Sequence, residues 1–226
     1  MNNRERAAFK HQWTQINNAS VNSRSHHSQI QNIINQYDFD CFIDCGVGYV
    51  GTEAWSVKDL KPECTIIGFE PHNERYEMVK GHYVGDLYKL GVGETETEVE
   101  GFMGYEGGKS DFWLHGSEKL IEEGHYKKST IQLTTIDKIL EKYPYVKNIF
   151  IWADIEGAEL DMIKGATKSL EEGRIVGLNL ELRYDRADEG HCTGHEVVEI
   201  LEKYNIKNIS GTIIKGHKDY LFKKII

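Results

Sequence analysis

The apolar runs of this sequence carry acids at or near their ends. FIDCG holds Asp44, TIIGFEP closes on Glu70 and Pro71, NIFIWADIEG closes on Asp154 with Glu156, and GLNLEL holds Glu181. Gly46, Gly48 and Gly51 follow Asp44 in a G-x-G-x-x-G spacing. That pattern lets a strand turn tightly into a helix and brings backbone close to a ligand. An acid ending the second strand is placed to accept hydrogen bonds from both ribose hydroxyls of an adenosine, and Glu70 follows Gly46 at roughly the 20-residue spacing this geometry uses. Glu70 therefore suits NAD and S-adenosylmethionine equally. Asp44 separates them: a carboxylate beside the loop repels a pyrophosphate but favours the ammonium and sulfonium of S-adenosylmethionine. The lone carboxylate of that cofactor can still use free amides at a helix start.

Asp154, Glu156 and Glu181 are the candidate catalytic residues. Methyl transfer from a sulfonium is an in-line displacement in which alignment and desolvation do most of the work. A hydroxyl acceptor adds the need for a base or a metal to take its proton. Asp154 and Glu181, on neighbouring strands, can position acceptor hydroxyls, supply a base, or hold a Mg²⁺-like ion through oxygen ligands. A divalent metal is left open. Glu156 and Glu159 occupy a helical first turn, where acids are also favoured by the helix dipole alone. His115, His191 and His195 are further base candidates, and Trp113 and Tyr105 could pack on a sugar or adenine ring. A plain surface histidine is the favoured reading of each of the three, and core or hairpin packing explains the two aromatic residues about as well.

The elements that must position these residues follow from periodicity. CFIDCG and CTIIGFEP read as buried parallel strands, each followed by a helix, at 50–60 and 72–83. A strand is expected at 88–92. Residues 94–134 have β-like pieces broken by glycines and read as an inserted β-rich region ending in STIQLTT. A helix at 135–143, the strand KNIFIWADIEG, one amphipathic helix over AELDMIKGATKSLEEG and the strand RIVGLNLEL resume the alternation. A helix at 194–204 and strands at 206–210 and 219–224 complete it. This order predicts an α/β fold, a Rossmann-like, doubly wound, mostly parallel sheet with a C-terminal antiparallel strand, in which ligands bind beyond the carboxyl ends of the strands. Residues 1–35 form a polar, partly helical extension, with His26 and His27 as solvated surface residues, and 36–226 form the main domain.

Composition narrows the partners. Hydrophobic residues at 39% and charged residues at 28% describe an ordinary globular protein. The net charge of −9 disfavours tight binding to nucleic-acid phosphates, so no nucleic-acid partner is expected. No apolar run approaches the ~20 residues of a membrane-spanning helix. The N-terminus lacks the apolar core of a secretory signal, which reads as a cytoplasmic protein. Cys41, Cys45, Cys64 and Cys192 show no metal-ligand spacing and are expected to be reduced and mostly buried.

FIDCGVGYVG, IIGFEPHNERYEMV, TTIDKIL and FIWADIEGAELDMIKGA together resemble the FkbM family of S-adenosylmethionine-dependent methyltransferases. ADIEGAELDMIKGA is similar to that family's D-[IV]-E-G-x-E-x-x-x-[IL]-x-G-A signature. The sequence departs from the family at Trp152, where a lysine is usual, and at Val47. The resemblance implies a Rossmann-like methyltransferase that uses S-adenosylmethionine, commonly making O-methyl products on sugars or other small molecules. A small-molecule or glycan acceptor is therefore expected. The competing readings are a nicotinamide-dependent oxidoreductase using the same glycine loop and a non-catalytic module that keeps the fold.

Overall fold

The protein is described by a computed structural model that covers residues 22–104, 112–113, 126–183, 193–211 and 217–225. Residues 1–21, Tyr105, His115, His191 and Cys192 lie outside the described residues, as do the side chains of His26, His27 and Trp113. The described part of the chain begins with α1 (Asn22–Gln36), β1 (Cys41–Cys45), α2 (Thr52–Leu60), β2 (Thr65–Phe69), α3 (Asn73–Val79) and β3 (Asp86–Tyr88). It continues through β4 (Gly91–Val92), β5 (Thr97–Gly104), β6 (Phe112–Trp113), β7 (Tyr126–Thr134), α4 (Ile136–Leu140) and β8 (Ile149–Ala153). The last part holds α5 (Glu159–Lys164), α6 (Thr167–Glu171), β9 (Ile175–Arg183), α7 (Gly194–Glu202), β10 (Ile206–Asn208) and β11 (His217–Lys224).

The main sheet runs β10-β11-β9-β8-β1-β2-β3. Pairings from β9 across to β3 are parallel, whereas β11 is antiparallel to both β9 and β10. The chain runs outward from β1 through β2 to β3, then returns to β8 on the other side of β1. The strand order thus reverses at β1, and the switch point at its carboxyl end is where an open α/β sheet leaves a crevice. β4 leaves the main sheet to join a second one, ordered β4-β7-β5-β6, in which β5 and β7 form a long antiparallel pair. The single strand expected at 88–92 is therefore two short ones in different sheets.

Alternation along the central strands makes two cores. Cys41, Ile43, Cys45, Ile67, Ile149 and Ile151 face one side, where Ile136, Met162, Ile163, Leu170 and Leu201 from α4 to α7 pack on them. Phe42, Ile66, Phe150 and Trp152 face the other, against Ile30, Ile33 and Tyr37 of α1 and its flank and Ala54 and Val57 of α2. Both faces are covered, which is why these strands read as continuous apolar runs. Cys41, Cys45 and Cys64 are free, buried thiols.

The helix expected across 158–173 is divided in two. At Gly165 a Cβ would overlap the Gly93 carbonyl oxygen, so the helix meets the neighbouring chain there. Asp137 of α4 then accepts hydrogen bonds from the Lys168 and Ser169 amides and the Ser169 hydroxyl at 2.8, 3.0 and 2.6 Å. Those bonds satisfy amide donors that the first turn of α6 would otherwise leave orphaned.

Phe150 is the hub of the second core: fully buried, stacked on Phe42 at 6.2 Å and met edge-on by Tyr37 at 5.0 Å. Phe150→Ala is expected to cost about 3–5 kcal/mol of stability, the usual range for an emptied aromatic site. Urea denaturation measures this, and a loss below ~1 kcal/mol would contradict the assignment of Phe150 as the hub.

Candidate functional site

Three neighbouring strands bring the glycine loop and the acids together. β1 lies between β2 and β8, with Asp44 in register with Gly68 on one side and Trp152 on the other. Where β1 ends, the Gly46 and Val47 amides donate to the Phe69 carbonyl at 3.0 and 3.2 Å, and the Asp154 amide donates to the Cys45 carbonyl at 3.1 Å. The loop is thereby tied to both neighbouring strands. Gly46 has φ 91° and passes so close to β8 that a Cβ would overlap the Asp154 carbonyl oxygen. Among the described residues nothing lies within 4 Å of where a Cβ on Gly48 would stand, so the loop borders open space there.

Glu70 is 2% exposed and anchored at both oxygens. Oε2 accepts from the Gly48 amide and Oε1 from the His72 amide, both at 2.8 Å. A carboxylate has about four lone-pair sites, so these two bonds orient Glu70 and leave acceptor capacity. Burial pushes its pKa up, opposed by the His72 amide, Arg75 and the Gly48 amide. His72 also caps α3, its Nδ1 accepting from the Glu74 and Arg75 amides. Pro71, partly buried beside this anchor, continues the chain into that cap.

Asp44 is placed differently from the expectation. The residue is 1% exposed and lies on the face of the sheet shared with Phe42 and Trp152, not at the open lip of the loop. Its pKa is raised well above its ordinary value by burial, then by Glu53, with Glu70 and Asp154 adding to the rise and the Tyr83 hydroxyl opposing it. Tyr83 donates to Asp44 Oδ2 at 3.3 Å. The acidic character of the crevice therefore belongs to a group of carboxyls, and Asp44 is its buried member rather than a lone charge repelling phosphate. Trp152, where the motif departs from the family pattern, is the cross-strand neighbour of Asp44. It is 5% exposed and brings no positive charge to that position.

Asp154, Glu156 and Glu181 converge. Each offers a carboxylate oxygen within 4.8 Å of the others, with Asp154 exposed and the two glutamates half-buried. Asp154 follows Ala153, the register partner of Leu180, so it stands level with Glu181 on β9. Asp219 flanks Glu181 from β11. Glu181 is pushed up to about 10 by burial, by its hydrogen bond with Asp154 and by the charges of Asp154, Glu156 and Asp219. Glu156 has φ 55° and Gly157 φ 102°, two successive left-handed residues that turn the chain sharply after β8. A left-handed non-glycine residue costs about 1–3 kcal/mol and persists where surrounding structure holds it.

Glu159, at the start of α5, is 1% exposed and accepts from the Gly157 amide at 3.4 Å. It folds back onto the turn that carries Asp154 and Glu156. Burial raises its pKa to about 7, against the lowering by nearby backbone amides. His195 is exposed in the first turn of α7. Tyr83, His72 and Asp219 were not singled out from the sequence. His72 precedes a helix at a capping position and could have been; Tyr83 and Asp219 become neighbours of the site only through the fold.

A glycine loop bordering open space, an oriented acid with spare acceptor capacity and a buried carboxyl nearby fit an adenosine ligand that carries positive charge. A family model for the methyltransferase FkbM domain matches residues 44–207. The chain belongs to the FkbM methyltransferase family. S-adenosylmethionine is accordingly the cofactor of this FkbM methyltransferase. A search of curated proteins finds no sequence match. Among solved structures, the chain is similar to a human methyltransferase 10 domain containing protein, at 11% identity and TM-score 0.48, covering 91% of this chain and 82% of that one. It is also similar to an S-adenosylmethionine-dependent methyltransferase from Clostridium acetobutylicum, at 8% identity and TM-score 0.47, covering 96% and 98%. A magnesium protoporphyrin IX methyltransferase from Synechocystis with bound SAM is similar at 8% identity and TM-score 0.46, covering 90% and 80%.

Glu159 gives a pH test of the turn. Its raised pKa means that the folded state binds its proton more tightly than the unfolded chain. That contribution to stability is complete below about 4.5, the ordinary value, and is lost as pH rises through about 7. Glu159→Gln is expected to flatten the fall in stability of the ligand-free protein across that window. Thermal denaturation from pH 4 to 8 measures it, and an unchanged slope would refute the assignment.

Proposed function

We propose that this FkbM methyltransferase makes an O-methyl product on a sugar or another small hydroxylated acceptor. The convergence of Asp154, Glu156 and Glu181 beside the glycine loop carries this reading. When bound, S-adenosylmethionine supplies an activated methyl carbon on a sulfonium centre. The backbone of Gly46, Gly48 and Gly51 lines the cofactor, and Glu70 accepts hydrogen bonds from its ribose hydroxyls. Pro71 fixes the chain just after that acid. Asp44 faces the cationic end of the cofactor from beneath the loop, and positive charge arriving beside it favours its carboxylate form.

The three carboxyls orient the acceptor hydroxyl in line with the methyl group and receive its proton. Asp154 and Glu181 form a hydrogen-bonded carboxyl pair in which burial, then the hydrogen bond and charge of Asp154, push Glu181 up so that it holds a proton; Asp154, the exposed member of the pair, is the carboxylate placed to receive the proton of the acceptor. Glu156 completes the group from the left-handed turn. The separation of their oxygens supports a second role, holding one hard divalent cation that would bind the acceptor oxygen, since such ions take oxygen ligands.

The experiments separate these steps. Glu70→Ala is expected to weaken S-adenosylmethionine binding about 10-fold or more, from two lost ribose hydrogen bonds and an unanchored loop. Calorimetry checks this, and an unchanged dissociation constant would remove Glu70 from the site. Labelled methyl transfer into a pool of glycans and hydroxylated metabolites tests the acceptor. Label confined to nitrogen or carbon would overturn the O-methylation reading, and loss of transfer with EDTA, restored by Mg²⁺, would select the metal-assisted form.

A further inference from the structure

We propose that Tyr83 is a positioning residue for cofactor binding: its hydroxyl holds the Asp44 carboxyl in place for the cationic end of S-adenosylmethionine, through a slot opened by Gly68. This rests on the reading that Asp44 faces that end of the cofactor. Tyr83 follows α3 and is held by a hydrogen bond that its backbone amide donates to the Val79 carbonyl at 3.0 Å. Its ring is half-buried against the core formed by Phe42, Ala54 and Trp152. Two glycines make the placement possible. A Cβ at Gly68 would overlap the Tyr83 hydroxyl and its ring carbon, and one at Gly51 would lie 2.9 Å from Cε2. Gly68 is the register partner of Asp44, so the space left by its missing side chain is where the phenol passes to reach Oδ2 at 3.3 Å. The other neighbour of Asp44 in the sheet, Trp152, walls the opposite side.

Gly68 lies inside a regular strand, where glycine weakens pairing and contributes no packing, and a close approach by another group is its usual explanation. Here the approaching group is Tyr83. The same ring also packs on Gly51, the left-handed residue at the start of α2 with φ 63°. One side chain thus braces both the loop and the buried acid. Glu53 of α2, Glu70 at the end of β2 and Asp154 after β8 also act on Asp44, each disfavouring its charged form, whereas the phenol donor favours it. A donor to a carboxylate in such company stabilises the state that a cation recognises.

The test uses the full chain as wild type, Tyr83→Phe, Asp44→Asn, the double variant and Gly68→Ala. Calorimetry with S-adenosylmethionine and with adenosine, from pH 6 to 9, reads the two halves of the site separately. Tyr83→Phe keeps the ring and is expected to weaken S-adenosylmethionine about 5- to 20-fold at pH 7, with adenosine changed less than ~2-fold. The pH at which affinity falls should move upward, because the carboxylate has lost its donor. In the Asp44→Asn background the same change should add nothing, and Gly68→Ala, which keeps the hydroxyl but displaces the ring, should reproduce the selective loss. Wild-type affinity in Tyr83→Phe while Asp44→Asn binds weakly would overturn the role of Tyr83 alone. Wild-type affinity in both would overturn the placement of Asp44 as well. An equal loss for adenosine would show a general collapse of the loop and likewise overturn the proposal.

Discussion

Gly46 passes the Asp154 carbonyl so closely that only a hydrogen fits at its Cα, and the site depends on that approach. It occurs because β1 and β8 are parallel neighbours that end level with each other, at Cys45 and Ala153. Above that level the chains must part, one into the glycine loop and the other into the turn through Glu156. The hydrogen bonds that the loop amides donate to the Phe69 carbonyl and the Asp154 amide donates to the Cys45 carbonyl hold both departures in register. A larger residue at Gly46 would push the two turns apart, separating the loop that lines the cofactor from the carboxyls beside it. The reversal of strand order at β1 is what brings those two chain departures side by side.

From this junction the acids fall into an ordered row. Asp154 just past β8, Glu181 on β9 and Asp219 on β11 stand level, and Asp44 on β1 sits two residues deeper, in register with Trp152. Burial is the first cause of the raised pKa values of Asp44, Glu159 and Glu181, and the repulsion of neighbouring carboxyls adds to it. A cofactor bearing positive charge relieves part of that repulsion on binding. Burial and function are therefore coupled: the same packing that makes these groups hard to ionise makes them responsive to a cation.

Much of the fold was legible in the sequence because a parallel sheet covered on both faces leaves an unambiguous signature, short apolar runs bounded by glycine or proline. FIDCG, TIIGFEP and NIFIWADIEG are all of this kind. The errors of detail came where tertiary contacts override local periodicity. Residues 158–173 have the pattern of a single amphipathic helix, yet Gly165 must pass the Gly93 carbonyl and Asp137 starts a new helix at Thr167. Residues 88–92 have the pattern of one strand, yet β3 and β4 find partners in different sheets.

The sequence by itself determined the glycine loop, the acid after the second strand, the ADIEGAE turn and the family to which they belong, because those features are local in spacing and residue type. Only the tertiary structure decided that Asp44 is buried rather than displayed, since its face of the sheet depends on strand register and on what packs over it. Likewise, Gly68 in isolation is only a weak point in a strand. It acquires meaning from Tyr83, 15 residues later in the chain, whose hydroxyl enters the gap that the glycine leaves beside Asp44.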